Sequence, residues 1–324
     1  MLWNERIGRR LKLRDFHVLL AVVRRGTMAR AANELAMSQP AVSKAIADME
    51  RELGIRLLDR TPRGVEPTSY GRVLVRRGLA IFDELRQGVQ ELEFLADPSV
   101  GELRIGSSEG MAAGVLPAVI REISRRHPRV VINVAQALFA TTQYRDLQER
   151  SVDLLFGRVF APPPPEEGVV VEKLFDDHVV AVVGKHHPLA RSRRLTLANL
   201  AEQRWILPPP SNEAGRLAAD IFTSSGLKLP HAPVTTISIH LALRLLASER
   251  FVAFLPGSVL RFGGHERMLK VLPVKLPVQQ RPVGAITLKD RTLSPLVKVF
   301  LECARQIVDQ PRRGVRSVRD VRVA

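Results

Sequence analysis

The sequence predicts an α/β protein in two parts: an all-α N-terminal region closed by one long helix, then a region of alternating strands and helices. Three observations carry this. The first 68 residues hold three short helical stretches set off by capping and stop residues. Residues 68–96 continue as one unbroken helix with an apolar seam. From Gly101 onward, apolar runs of strand length alternate with amphipathic periods. A length of 324 residues exceeds one average domain, and an apolar fraction of 45% is that of a core-forming chain.

The first helix is expected from about Leu13 to Arg25, where Phe16, Leu19, Leu20 and Val23 repeat at helical spacing. Gly26 and Thr27 stop it, and Thr27 can cap the next helix, Met28 to Ala36. Ala31, Ala32 and Leu35 give that helix a small-residue face for close packing. Ser38 caps a third helix, and Val42, Ile46, Met49 and Leu53 form its single buried stripe before Gly54 ends it. Pro40 is tolerated because the first amides of a helix have no intrahelical acceptor. Gln39, Ser43 and Lys44 stand off the stripe, on turns where the helix dipole is positive. Glutamine there can pair with adenine edges in a DNA major groove, and serine with either strand. By itself this is also the look of an ordinary solvated helix start.

The next stretch shifts the balance. "LLDRTPRGVEPTSYG", residues 57–71, is a turn-rich ribbon with Arg60 and Arg63 at its corners. Two helices around a tight turn, followed by a basic ribbon, make a winged helix-turn-helix. The run "AANELAMSQPAVSKAIADMERELGIRLLDRTPRGVEPTSYG" closely resembles the LysR-type transcriptional regulators, whose elements it repeats in order and with their spacing. Leu58 replaces the usual phenylalanine and Pro67 precedes the threonine of the usual Leu-Thr pair, departures that touch packing and wing shape. The resemblance implies contacts to promoter DNA from Thr27, Arg30, Ser38, Gln39, Pro40, Ser43, Lys44, Arg60 and Arg63.

In the helix over 68–96, Leu74, Ile81, Leu85, Val89 and Leu92 form a near-heptad seam beside Phe82, interrupted by Gly78 and Gly88. A helix lying on its own domain would look alike. The resemblance implies a linker helix that pairs two subunits in a homodimer or homotetramer. "ADPSVG", 96–101, breaks it. "GELRIGSS", "VVINVAQA" and "VDLLFG" then read as strands separated by helices, the first of them one amphipathic helix over 110–127 ended by Pro128, and "RPVGAITL" continues the theme near the end; this order is expected of a parallel sheet. The resemblance extends more loosely to Ile307 and implies a two-lobed effector domain like the periplasmic binding proteins. The domains expected are 1–68 for DNA binding, 69–97 for the linker, 98–309 for the effector, and 310–324 as a basic disordered tail. Lobe I would hold 101–172 and 274–309, and lobe II 173–273, with two crossovers as hinges.

Open α/β sheets bind ligands beyond the C-terminal ends of their strands. That rule singles out Ser107 and Ser108, whose hydroxyls meet free helix amides and suit an anionic or hydroxylated small molecule. It also selects Phe139, Thr141, Gly157 and Arg158, and in the second lobe Pro210, Ser211 and Ser238. For each, a capping or surface role is the plainer alternative.

Composition limits the rest. The net charge of +16 suits a polyanion partner, but residues 1–96 carry only +5, so DNA binding rests on patterning rather than bulk charge. The single Cys303 rules out an intramolecular disulfide and a cysteine-rich zinc module, and fits a reducing cytoplasm. Residues 9–31 imitate a signal peptide, but His17, Arg24 and Arg25 interrupt it and its periodicity is that of a soluble helix. No apolar run has the ~18 residues needed to span a bilayer. The sequence lacks H-E-x-x-H, G-x-S-x-G and P-loop motifs, so no enzyme, metal or cofactor is expected. Two readings stay open on residues alone: a DNA-binding regulator that answers to an effector, and a solute-binding or metabolic protein whose N-terminal helices only oligomerise. The resemblance favours the first, in the cytoplasm and without a membrane partner, and allows a contact with RNA polymerase.

Overall fold

A computed structural model describes residues 11–62, 64–137, 144–248, 250–277 and 280–310. Arg63, Phe139, Thr141 and the tail from 311 therefore lie outside the described residues. The chain forms two compact units, Met1–Val89 with Gln148–Arg150, and Gln90–Leu147 with Ser151–Ala324.

The N-terminal unit holds α1 (Leu13–Arg25), α2 (Met28–Glu34), α3 (Gln39–Leu53), β1 (Leu58–Thr61), β2 (Gly64–Pro67) and the start of α4 (Ser69–Ala96). Local signals set the helix ends. Gly26 and Gly54 close α1 and α3 in the left-handed conformation that glycine adopts without steric cost. Val18, Leu19 and Val22 of α1 pack with Ala31 and Ala32 of α2 and with Val42, Ile46 and Met49 of α3. The β1–β2 hairpin is tied to this bundle, because the Val65 amide donates to the Gly26 carbonyl at 2.8 Å. Gly64 cannot be replaced there: its φ is +138°, and a Cβ would lie 2.2 Å from the Gly26 oxygen. At the hairpin base, Glu50 Oε1 accepts from the Leu57 and Leu58 amides at 2.7 and 3.2 Å.

The seam of α4 divides. Leu74 joins the N-terminal core, and Gly78 lets α4 approach α1, where a Cβ would come within 3.2 Å of Phe16. Phe82 meets the His17 ring at 5.7 Å. Beyond that point Leu85, Val89, Leu92 and Leu95 are 50–74% exposed. The helix thus packs on its own domain at its start and presents bare leucine and valine further on.

The second unit continues with β3 (Val100–Ser107), α5 (Glu109–Ala112), α6 (Leu116–Arg126), β4 (Arg129–Gln136), α7 (Arg145–Gln148), β5 (Leu154–Arg158) and β6 (Val169–Asp177). Then follow β7 (Val179–Gly184), α8 (Leu197–Ala201), β8 (Trp205–Leu207), α9 (Glu213–Thr223), β9 (Val234–Thr235), α10 (Ile239–Ser248), β10 (Val252–Pro256), α11 (Gly257–Phe262) and β11 (Leu269–Val271). β12 (Arg281–Leu288) and α12 (Pro295–Asp309) complete it. The strands form two five-stranded sheets, ordered β4-β3-β5-β12-β6 and β11-β7-β10-β8-β9, one for each lobe.

Three features differ from the sequence expectation. The sheets are mixed, not parallel: β12 runs antiparallel to β5 and β6, and β7 runs antiparallel to β10 and β11. The crossovers also sit later. β6 stays in the first sheet to Asp177, and Val274 and Leu276 still pack in the core of the second lobe, so lobe II begins near 178 and extends past 273. Charged residues at 172, 173, 176 and 177 break the apolar pattern of β6, a strand at the edge of the sheet, and hid it. Third, the single helix expected over 110–127 is two. Proline at 117 has no amide to donate, and its ring would meet the carbonyl of Ala113, so the chain turns and restarts at Leu116.

A buried carboxylate braces the first lobe. Asp153 accepts from the Arg104 amide and side chain, each at 2.9 Å, and from Arg291 at 2.8 Å. Burial pushes this carboxyl up, but the Arg104 and Arg291 hydrogen bonds outweigh it and hold the group well below the usual carboxylate range.

Candidate functional site

Two places in the fold gather the residues singled out above. On the N-terminal unit, Thr27 caps α2 by accepting from the Arg30 amide at 3.2 Å, and Ser38 caps α3 by accepting from Ala41 at 3.3 Å. These hydroxyls therefore fix the two helix starts and keep only their own hydrogens to donate outward. Gln39 and Pro40 open α3 and stand exposed, as do Arg30 and Lys44, while Ser43 is half-buried. The stripe of Val42, Ile46 and Met49 faces the core, so the opposite face of α3 is free along its first two turns. Arg60 is exposed on β1 next to the hairpin tip.

In the second unit a cavity of about 210 Å³ lies between the lobes, at the C-terminal ends of β3, β4, β5, β8 and β9 and of β10. Ser108, Arg158 and Ser238 line it. Ser107, Gly157, Pro210 and Ser211 do not. Ser107 follows Leu103 and Ile105 on the buried face of β3, so strand alternation turns it inward, and its hydroxyl donates to the Ser108 carbonyl at 3.3 Å. In the second lobe β8 already ends at Leu207, so Pro208 and Asn212 reach the cavity while Pro210 and Ser211 are exposed on the intervening turn. The seat pictured at the first serines also changes, since α5 is a single turn and Ser108 makes no side-chain cap bond there.

The sequence reading missed Glu109, Gln136, Asn212 and Thr236, all on the lining. Gln136 ends β4 and could have been found by the strand-end rule; Thr236 follows a strand of only two residues, which periodicity cannot show. It missed Asp177 as well. That carboxylate sits at the first crossover and accepts from Arg158 at 2.8 Å, from the His178 amide at 3.0 Å, and from the Ser258 amide and hydroxyl at 3.0 and 2.7 Å. Arg158 and Asp177 are both buried, so this is a desolvated ion pair between the ends of β5 and β6, and the Ser258 bonds tie it to the start of α11 in the other lobe. Across the cavity, Glu109 Oε1 accepts from the Ile239 amide at the start of α10, at 3.0 Å.

Among the described residues no cluster of histidine, cysteine, aspartate and glutamate could hold a metal, and no helix is long and apolar enough to cross a membrane.

Comparison with known proteins agrees with this layout. Residues 13–72 match the model of the bacterial regulatory helix-turn-helix protein, lysR family, and residues 96–309 match the LysR substrate binding domain. The chain is 29% identical over 306 residues to the HTH-type transcriptional regulator GbpR of Azospirillum brasilense, covering 94% of this chain and 89% of that one. It is 26% identical to PcaQ of Agrobacterium fabrum (strain C58 / ATCC 33970), over 95% and 100% of the two chains. Among solved structures, full-length CbnR complexed with its target DNA superposes with a TM-score of 0.60 at 20% identity, over 92% of this chain and 100% of that one. A full-length OxyR variant from Pseudomonas aeruginosa gives a TM-score of 0.66 at 17% identity, over 92% and 96%. An N-terminal winged helix-turn-helix, a long connecting helix and a two-lobed α/β domain with a cavity at its strand ends, matched along both parts, make this chain a member of the LysR family of DNA-binding transcriptional regulators.

Proposed function

We propose that the exposed nose of α3 reads base edges in the major groove, with Gln39 and Ser43 as the discriminating side chains and Lys44, Arg30 and the hairpin arginines on the backbone. The observation that supports this most is the division of α3 into a core stripe and a free polar face at its positive end. Two such heads on one DNA molecule require a paired assembly, and the bare Leu85–Leu95 stretch of α4 is the surface offered for it. A dimer would address two half-sites about one helical turn or a multiple of it apart. The interlobe cavity would take a small hydroxyl-bearing effector, bonded by Ser108, Thr236 and Ser238, and lobe closure around it would alter the assembly on DNA. The protein would work in the cytoplasm, on promoter DNA and beside RNA polymerase.

Selection of bound sequences from a random duplex pool by the full-length protein tests this reading. The expected product is an interrupted dyad bound with a steep salt dependence. A pool that stays random after repeated rounds would contradict it.

A further inference from the structure

The interlobe cavity carries an unusual charge balance. Among the described residues three charged ones line it: Glu109, Arg158 and Glu213. Arg158 is committed to Asp177 at 2.8 Å, with both side chains under a tenth exposed. Glu213 is paired with Arg216 at 2.6 Å. Glu109 makes no ion pair among the described residues; its carboxylate accepts from the Ile239 amide at 3.0 Å. That amide is the first of α10, the place in lobe II where an incoming anion would otherwise find an unpaired donor. Ser238 Oγ already accepts from the Leu241 amide of the same turn. The protein thus supplies its own anion at the mouth of α10 and, among the described residues, leaves no lining cation without a partner.

The remaining polar groups are neutral. Ser108 makes no cap bond, Thr236 and Ser238 keep hydroxyl hydrogens to donate, and Gln136 and Asn212 offer amides. Between them lie apolar walls that include Met111, Phe160 and Phe254. Such a surface bonds hydroxyls and covers a flat apolar face, and it repels a carboxylate or phosphate.

We infer that the cleft selects an uncharged, hydroxyl-bearing effector, and that Glu109 is the residue that rejects anionic analogues while holding lobe I to α10 of lobe II. The inference rests on the reading of this cavity as the effector site.

Matched alcohol and acid probes test it by calorimetric titration of the full-length protein: benzyl alcohol against benzoate, and glucose against glucuronate. A ligand charge several ångströms from Glu109 should weaken binding by roughly ten- to a hundredfold, so the alcohol of a binding pair should be the tighter member. Glu109→Gln keeps an oxygen to accept from Ile239 and removes the charge, so it should narrow that gap by about the same factor. An acid that binds wild type as tightly as its alcohol overturns the inference, and this comparison needs no variant. A gap unchanged in Glu109→Gln overturns the role of Glu109. If no probe binds, the effector-site reading fails and the inference falls with it.

Discussion

Replacing Leu85 and Leu92 of α4 by aspartate should turn the assembled protein into monomers. The two side chains stand two helical turns apart on one stripe and are 50% and 69% exposed in the single chain. Full burial of a leucine is worth about 1.5–3 kcal/mol, so the exposed half to two-thirds of each is what pairing can still recover. Counted over two protomers, the lost burial amounts to about 5 kcal/mol, which raises a dissociation constant by between three and four decades. Four like charges forced into the seam would add to this. Sedimentation velocity across a range of protein concentrations reads the result, with circular dichroism as a check on folding. The double variant should sediment as a monomer where wild type is assembled, and should lose affinity for a two-half-site DNA far more than for a single half-site. A folded double variant that sediments like wild type would refute the assignment of the seam to a subunit interface.

The remaining predictions address the wing, the hinge and a buried histidine. Arg60→Ala should weaken binding to all DNA sequences alike and lower the salt slope by roughly one; fluorescence anisotropy across a salt series would show an unchanged slope if Arg60 does not touch phosphate. Asp177→Asn leaves the Arg158 charge buried without its partner and should cost about 3–5 kcal/mol of stability in urea unfolding, against about 1 kcal/mol for Ser258→Ala; equal small losses would mean the crossover does not depend on the ion pair. His187 Nδ1 accepts from the Leu189 amide at 3.1 Å, and burial, with the nearby Arg250 charge, lowers its pKa. A folded-state pKa below the unfolded value of about 6.5 gives stability that is full above that pH and is lost as the pH falls through the folded value. Melting temperatures between pH 7.5 and 5 should therefore drop more steeply for wild type than for His187→Asn, which keeps an acceptor that cannot protonate; parallel curves would remove the histidine from the account.

How much could be read in advance depended on how local the cause was. The three N-terminal helices end where Gly26, Thr27, Ser38 and Gly54 stand, and each of those residues acts within a few positions of itself. The strands β3, β4, β5 and β12 are strand-length stretches rich in valine, isoleucine and leucine, and were visible for the same reason. β6 was not, because the charges at 172, 173, 176 and 177 break its apolar pattern, and strands of two or three residues such as β8, β9 and β11 are too short to show a period. The chemistry of the cleft was the least legible part. Ser108 follows from the strand-end rule, yet Glu109 gains its role only by meeting an amide 130 residues away, and Asp177 by meeting Ser258 at a separation of 81. Ser107 was a different kind of error: counting by two from Leu103 and Ile105 already turns it away from the cleft.

The central claim is that this chain reads DNA sequence through the nose of α3. It is tested most directly by anisotropy titrations of wild type and Gln39→Ala on the selected site, on that site with single base-pair changes, and on scrambled duplex. Gln39→Ala should lose about 1–3 kcal/mol on the selected site, lose nothing on scrambled DNA, and no longer distinguish one particular base pair. Equal weakening on selected and scrambled DNA, with every base-pair preference intact, would contradict the account.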